Sequence, residues 1–69
     1  MAPLRTRAKS AVAAARQLIE SSEIESAEKA VGSAVVALDK AAQKGALHRK
    51  NASRRKSRLM KQLTSAKSD

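Results

Sequence analysis

Apolar residues recur at intervals of three and four along the chain, and they do not alternate with polar residues as they would in a β-strand. A helix turns once in about 3.6 residues, so this spacing gathers apolar side chains on one side of a helix. Alanine is abundant, while glycine contributes only two residues and proline one, a composition that favours helices. The pattern therefore predicts an all-α chain.

The first predicted helix covers residues 4–20. Pro3 precedes it, in a position where proline is tolerated because the first amides of a helix lack acceptors. Its apolar stripe consists of Leu4, Ala8, Ala11, Val12, Ala15, Leu18 and Ile19. Basic side chains form a neighbouring stripe at Arg5, Lys9 and Arg16, and Arg7 lies off that stripe. Residues 1–18 are also rich in alanine, contain arginine and lack acids, which is typical of a transit peptide as well.

The second predicted helix covers residues 22–44 and carries the clearest end signals. Ser22 and Glu25 fit a capping box, in which Ser22 is the N-cap and Glu25 occupies the third helical position. Gly45 is expected to close the helix in a left-handed conformation. The apolar stripe consists of Ile24, Ala27, Val31, Ala34, Val35, Leu38, Ala41 and Ala42. Gly32 interrupts the helix, either to let another backbone approach or as a tolerated weak position.

The third predicted helix covers residues 48–63, and the tail at 64–69 is expected to fray. Its apolar side consists of Ala52, Leu59 and Leu63. Met60 lies at the margin of this side and suits the core better than any chemical role. Because the apolar side is narrow, the third helix is the least self-sufficient of the three.

Short connections between the helices favour antiparallel neighbours. The predicted fold is a small antiparallel three-helix bundle with a basic third helix, forming one domain over residues 1–69. A chain of this size buries only about 60% of its unfolded surface, so its stability is expected to be marginal. It contains no cysteine, which excludes disulfide support. We therefore expect the chain to order fully only on a partner.

Positive charge is concentrated between residues 44 and 61, where eight Lys or Arg and one His occur without any acidic residue. The whole chain carries a formal net charge of +9 and has a sequence pI of about 11.0. Such a segment repels itself and cannot be buried, because isolated charges are costly to remove from water. A polyanion would neutralise it, and phosphate backbones are the commonest polyanions available.

Two features limit the kind of partner. The chain has no run of eighteen apolar residues, which argues against a membrane span. It also has no Phe, Tyr or Trp, so bases cannot stack on aromatic rings. Binding must then depend on phosphate contacts and shape, which favours structured RNA over DNA. A DNA-binding or nucleoid architectural module remains the alternative, and a helical adaptor for an acidic protein is a third possibility.

The sequence offers little that could support catalysis. His48 is the only histidine, and the serines near it have no base to activate them. His48 could pack or cap at the start of the third helix, or donate a hydrogen bond to a phosphate or a 2′-hydroxyl. Asn51 could cap the same helix or contact a sugar. We expect no enzyme activity, no metal, no cofactor and no small-molecule substrate.

Residues 39–60 contain the stretch DKAAQKG, followed by LH and then by RRKSRLM. This segment resembles the bacterial small-subunit ribosomal protein S20 family, and residues 4–11 resemble its first helix more weakly. The resemblance implies a helical bundle that binds small-subunit rRNA directly and stabilises its fold during assembly. It implies a location in the ribosome, in the bacterial cytoplasm or the plastid stroma, beside neighbouring ribosomal components.

The charge pattern and the resemblance together define a predicted RNA-contacting set. Its arginines present planar forks of donors that match phosphate oxygens. The set comprises Arg5, Arg7, Lys9, Arg16, Lys40, Lys44, His48, Arg49, Lys50, Asn51, Arg54, Arg55, Lys56, Arg58 and Lys61.

The chain departs from the family pattern in two places. The family usually begins with a further, strongly basic segment, so this chain is expected to be a naturally short version, a processed organellar chain or an incomplete sequence. The family also usually has Asn two positions after the histidine. Here Lys50 occupies that position and Asn51 follows. The role of the family's asparagine is therefore not assigned to Asn51 by position.

Overall fold

The computed structural model describes the backbone of residues 3–68 and the side chains of residues 3–67. It contains the helices α1 (Leu4–Glu20), α2 (Ile24–Gln43) and α3 (Arg49–Ser68). No strand occurs within residues 3–68, and the predicted all-α bundle is confirmed. Between the helices lie connections of three residues at 21–23 and five at 44–48.

The helices alternate in direction. Glu28, near the start of α2, forms an ion pair of 2.7 Å with Lys67, near the end of α3, so these helices are antiparallel. The start of α1 at Arg5 shares a pocket with Asn51 at the start of α3. Towards the other end, Arg16 of α1 lies beside the later part of α3. Helices α1 and α3 are therefore parallel to each other, and both are antiparallel to α2.

The core is built mainly from small residues. Its buried members are Ala8, Val12, Ala15, Ala27, Val31, Ala34, Leu38, Ala41, Ala52 and Leu59. Within α2 the buried positions follow intervals of four and three, the repeat that keeps one side of a helix against its partners. Alanine lets helix backbones approach closely and loses no side-chain entropy on burial. The result is a thin bundle with principal extents of 37 × 25 × 13 Å.

Helix α2 is the central element of the bundle. Within residues 3–67 it supplies five of the ten buried residues, whereas α3 supplies only Ala52 and Leu59. Lys56 occupies the position between those two on the core side of α3 and is half-buried. Both α1 and α3 pack mainly against α2 and much less against each other. The apolar side of α3 is therefore as narrow as predicted, and α2 is the common support of the other two helices.

The predicted capping box at the start of α2 is wrong. Ser22 has a φ of 61°, and its amide donates to the carbonyl of Ile19 at 3.1 Å. The amide of Glu23 donates to Leu18 over the same distance. These two bonds form a Schellman motif that closes α1. Ser22 thus ends α1 rather than starting α2, which begins at Ile24 with Glu23 as its N-cap and no side-chain capping bond.

The end of α2 uses the same backbone motif. Gly45 adopts the predicted left-handed conformation, with a φ of 77°. The amides of Gly45 and Ala46 donate to the carbonyls of Ala42 and Ala41 at 3.2 and 2.8 Å, as a Schellman motif requires. At Gly32, in contrast, no atom lies within 4 Å of the position that a Cβ would occupy. No backbone approaches there, so Gly32 is a weak helical position.

Two predictions for α3 are corrected by the structure. The helix continues to Ser68, so the frayed tail predicted from Thr64 is wrong over 64–68, and residue 69 lies outside the described part. Leu63 is partly buried against the core, Ala66 is half-buried, and the pair of Lys67 with Glu28 holds the last turn against α2. Met60 is 49% exposed and does not belong to the core.

The two glycines provide a matched test of this account. Gly32→Ala should raise the free energy of unfolding by about 1 kcal/mol, because alanine is the better helix former and meets no neighbour. Gly45→Ala should lower it by about 1 kcal/mol, because a Cβ is strained in the left-handed region. Thermal unfolding followed by circular dichroism measures both effects, and changes of the same sign would contradict the assignment.

The left-handed turn at Ser22 gives a second test. Ser22→Gly should raise the free energy of unfolding by about 1 kcal/mol, since glycine adopts a positive φ without steric penalty. Ser21, with a φ of −81°, is the control, and Ser21→Gly should bring no gain. Equal effects of the two substitutions in chemical denaturation would rule out conformational relief at Ser22.

Candidate nucleic-acid interface

A groove runs between the parallel helices α1 and α3. It consists of two adjoining pockets of ≈ 320 and ≈ 330 Å³ that share Asn51 and Arg55. We call this feature the basic groove. Its basic side chains are Arg5, Lys9 and Arg16 from α1 and Arg54, Arg55 and Arg58 from α3.

The groove stays open because the facing positions of α1 and α3 carry cations instead of apolar side chains. Its floor consists of Val12, Leu38 and Leu47, which come from α1, from α2 and from the connection before α3. All six basic side chains are exposed, since charged heads stay in water while their stems cover apolar surface. The bundle thus presents two rows of cations on rigid helices above an apolar floor.

The charges in the groove are of one sign. The residues that line its two pockets include six cations and no acid. Within the described residues, none of these six cations forms an ion pair with a carboxylate. No carboxylate of the described residues therefore offsets the mutual repulsion of these cations. Arginine forks on both walls can receive phosphate oxygens, and a polyanion would supply the missing charge.

The structure brings seven members of the predicted RNA-contacting set into the groove: its six cations and Asn51. A second group gathers where α2 ends and α3 begins, at Lys40, Lys44, His48, Arg49 and Lys50. Three members lie elsewhere: Arg7 on α1 outside the lining, Lys56 half-buried on the core side of α3, and Lys61 exposed. The predicted set therefore divides into a groove and a basic end of the bundle.

His48 caps α3. It immediately precedes the first helical residue, Arg49, and its Nδ1 accepts a hydrogen bond of 3.1 Å from the backbone amide of Lys50. The capping role suggested for Asn51 is wrong, because Asn51 lies inside the helix and lines the groove. An accepting Nδ1 carries no proton, so the neutral ring holds its proton on Nε2, which can donate to an oxygen ligand. Capping and phosphate contact are therefore compatible at His48.

Some residues of the groove were not in the predicted set. Val12 and Leu38 appeared only as core residues, and Leu47 lies in a connection whose path the sequence did not specify. A third pocket of ≈ 270 Å³ extends the groove along α1 and α3, and its lining consists of Arg16, Ile19, Glu20, Gln62, Ser65 and Ala66. Glu20 is the first acid met along the groove, which marks where its purely basic part ends.

Other kinds of site find no support in residues 3–67. No group of three or more His, Cys, Asp or Glu lies close enough together to hold a metal ion. Among the same residues, no helix has both the length and the apolar character needed to cross a bilayer. The basic groove and the adjoining basic end of the bundle are therefore the features with the clearest chemical character.

Comparisons with known proteins point to a single family. A family model described as ribosomal protein S20 matches residues 2–64. The small ribosomal subunit protein bS20 of Thermomicrobium roseum is 48% identical over 59 residues, which are 86% of this chain and 60% of that protein. The bS20 protein of Dehalococcoides mccartyi is 47% identical over 90% of this chain and 70% of its own length. The bS20 protein of Bacillus cereus is 42% identical over 90% of this chain and 73% of its own length. No solved structure gives a significant match.

The capping role of His48 can be tested by substitution. His48→Ala should lower the free energy of unfolding by about 1 kcal/mol, since the amide of Lys50 loses its acceptor. His48→Asn, which restores a capping oxygen, should recover most of that loss. Thermal unfolding measures both variants, and equal destabilisation by Ala and Asn would refute a capping role.

Proposed function

Because the chain belongs to the ribosomal protein S20 family, we propose that it is a structural constituent of the small ribosomal subunit. In this role it binds small-subunit rRNA directly, through contacts to the phosphate backbone, and stabilises the fold of that RNA during assembly. Its contribution is architectural and involves no catalysis. The relatives reported above are named as small-subunit proteins, and this chain spans 60% of the length of the Thermomicrobium protein.

The observation that carries the proposal is the basic groove. Two helices that are fixed on a common support present six cations along a single cleft. Arg5 and Arg16 are separated by eleven residues, which corresponds to about 17 Å along a helix. A row of that length follows a stretch of backbone rather than one phosphate group. Rigid positioning also lowers the entropy lost when each side chain binds.

The chemistry of the groove favours recognition of backbone and shape over recognition of base sequence. Five of its six cations are arginines, whose forks match phosphate oxygens. The chain has no aromatic residue on which a base could stack. Asn51 is the one lining side chain of the two pockets with an amide that could also read a sugar or a base edge. Folded RNA, recognised mainly by shape and by contacts to phosphate and 2′-hydroxyl groups, fits this composition.

The distribution of charge also supports one orientation on the RNA. The basic end of the bundle continues the positive potential of the groove beyond Arg5. At the opposite end, Glu20, Glu23, Glu25 and Glu28 lie around the connection between α1 and α2. Phosphates repel these carboxylates, so the α1–α2 end is expected to face away from the RNA. The groove and the basic end would then contact neighbouring RNA segments and hold them together.

The proposal predicts the salt dependence of binding. Arg54→Ala and Arg58→Ala should each weaken binding to small-subunit rRNA and flatten its dependence on salt by about one unit of slope, because each removes about one phosphate contact. Lys29→Ala, on the exposed surface of α2, is the control and should leave the slope unchanged. Filter binding across a salt series measures these slopes, and an unchanged slope in both arginine variants would exclude them from the interface.

A competitor distinguishes the proposed function from its alternatives. Random duplex DNA should not displace the rRNA at equal nucleotide concentration. Equal competition by DNA would favour a DNA-binding architectural module. Association with an acidic protein that survives nuclease treatment would favour an adaptor.

A further inference from the structure

Four arginines surround one part of the groove, which we call the arginine pocket. Arg16 comes from α1, whereas Arg54, Arg55 and Arg58 come from two successive turns of α3. The pocket has a volume of ≈ 330 Å³, and Val12 and Asn51 complete its lining. Each guanidinium has five N–H donors in a planar arrangement and no acceptor. The arginine pocket therefore collects donors and positive charge from two different helices.

The arginine pocket lies where the bundle is held together least well. Helices α1 and α3 pack less against each other than either packs against α2. Repulsion between Arg16 on one wall and Arg54, Arg55 and Arg58 on the other opposes their approach. An anion seated between the walls would replace this repulsion by attraction to both helices. Anion binding and the packing of α1 beside α3 should then support each other.

The total charge of the pocket indicates the kind of anion. A single phosphate carries at most about two negative charges at neutral pH, so it would neutralise only part of the charge of the four guanidinium groups. Several phosphates held close together offer more oxygens and more charge in one compact volume. We propose that the arginine pocket is a binding site for closely spaced phosphates, and that the bound phosphates hold α1 against α3. A sharply bent RNA backbone and a free oligophosphate share this chemistry.

This inference extends the proposed function, because the arginine pocket is part of the groove assigned to rRNA. It adds a specific claim that rRNA binding by itself does not require. The site should accept a small phosphate oligomer without any nucleoside, and its occupancy should stabilise the protein alone. Testing the full chain without RNA therefore separates the two proposals.

The first experiment compares thermal unfolding of the full chain in sodium tripolyphosphate, orthophosphate and sodium chloride at equal ionic strength. Tripolyphosphate should raise Tm by about 5 °C or more over chloride when it is well above its dissociation constant. Orthophosphate should raise Tm less. Equal Tm values in tripolyphosphate and chloride would overturn the site, and equal effects of the two phosphates would overturn the requirement for close spacing.

Substitutions then assign the effect to the arginine pocket. Arg58→Gln should weaken tripolyphosphate binding at least about fivefold in calorimetric titration, and Arg58→Lys should restore it only in part, because lysine lacks the planar fork. Lys29→Gln removes the same charge from the exposed surface of α2 and is the matched control, with little expected change. Circular dichroism verifies that each variant retains its helices. Equal loss in the Arg58→Gln and Lys29→Gln variants would mean that only net charge matters, against the proposal.

A double-mutant cycle tests whether one ligand bridges the two helices. Arg16→Gln and Arg58→Gln are measured singly and together with tripolyphosphate. If both arginines hold the same anion, the combined loss should differ from the sum of the single losses. Strictly additive losses would overturn the bridging of α1 and α3.

The final comparison uses RNA and keeps the outcomes distinct. If rRNA places its phosphates in the arginine pocket, tripolyphosphate should compete with it for the unsubstituted chain more effectively than chloride at equal ionic strength. Specific rRNA binding without any effect of tripolyphosphate on Tm would refute the pocket and leave the proposed function standing. A stabilising effect of tripolyphosphate, together with rRNA binding that duplex DNA removes equally well, would retain the pocket and refute the proposed function.

Discussion

The close packing of α1 and α3 on the alanine-rich side of α2 is the interaction on which the rest of the structure depends. Alanine contributes little apolar area, so each contact stabilises the bundle only modestly. It also allows short distances between helix axes and loses no rotamer freedom on burial. The small core therefore provides accurate positions for two outer helices rather than a large margin of stability. The arrangement of charged side chains on the surface follows from the positions in which α2 holds α1 and α3.

The same arrangement explains why the groove is basic. One outer helix can face the other outer helix with either apolar or polar residues. Here α1 and α3 both pack their apolar sides against α2. The sides that they turn towards each other carry Arg5, Lys9, Arg16, Arg54, Arg55 and Arg58. Stability that apolar packing between α1 and α3 would have supplied is therefore missing from the isolated chain. In the proposed complex, phosphates would provide it, which links folding of the bundle to binding.

The ends of the helices show how much local backbone geometry decides. Helices α1 and α2 both close with a Schellman motif, yet the left-handed residue is Ser22 in one and Gly45 in the other. At the start of α3 the cap is His48, which is not among the residues usually preferred for capping. Side-chain rules predicted Gly45 correctly and misjudged Ser22, and of the two roles considered for Asn51 the structure excludes capping. Those rules describe which backbone conformations and hydrogen bonds each residue type favours. The conformation that a connection adopts also depends on the direction that the next helix must take.

The sequence by itself determined the fold class, because apolar spacing and helix propensity act over a few residues and are visible in the order of the chain. It also led to the proposal of a polyanionic ligand, since a local excess of positive charge is visible in the order of the residues. It did not determine that α3 extends to Ser68, because Lys67 in its last turn pairs with Glu28 of α2, which lies 39 residues earlier in the chain. Nor did it reveal which of fifteen candidate residues share one groove or that Met60 is exposed. Only the packing of three helices on one another decided these points, since residues far apart in sequence become neighbours through tertiary contacts alone.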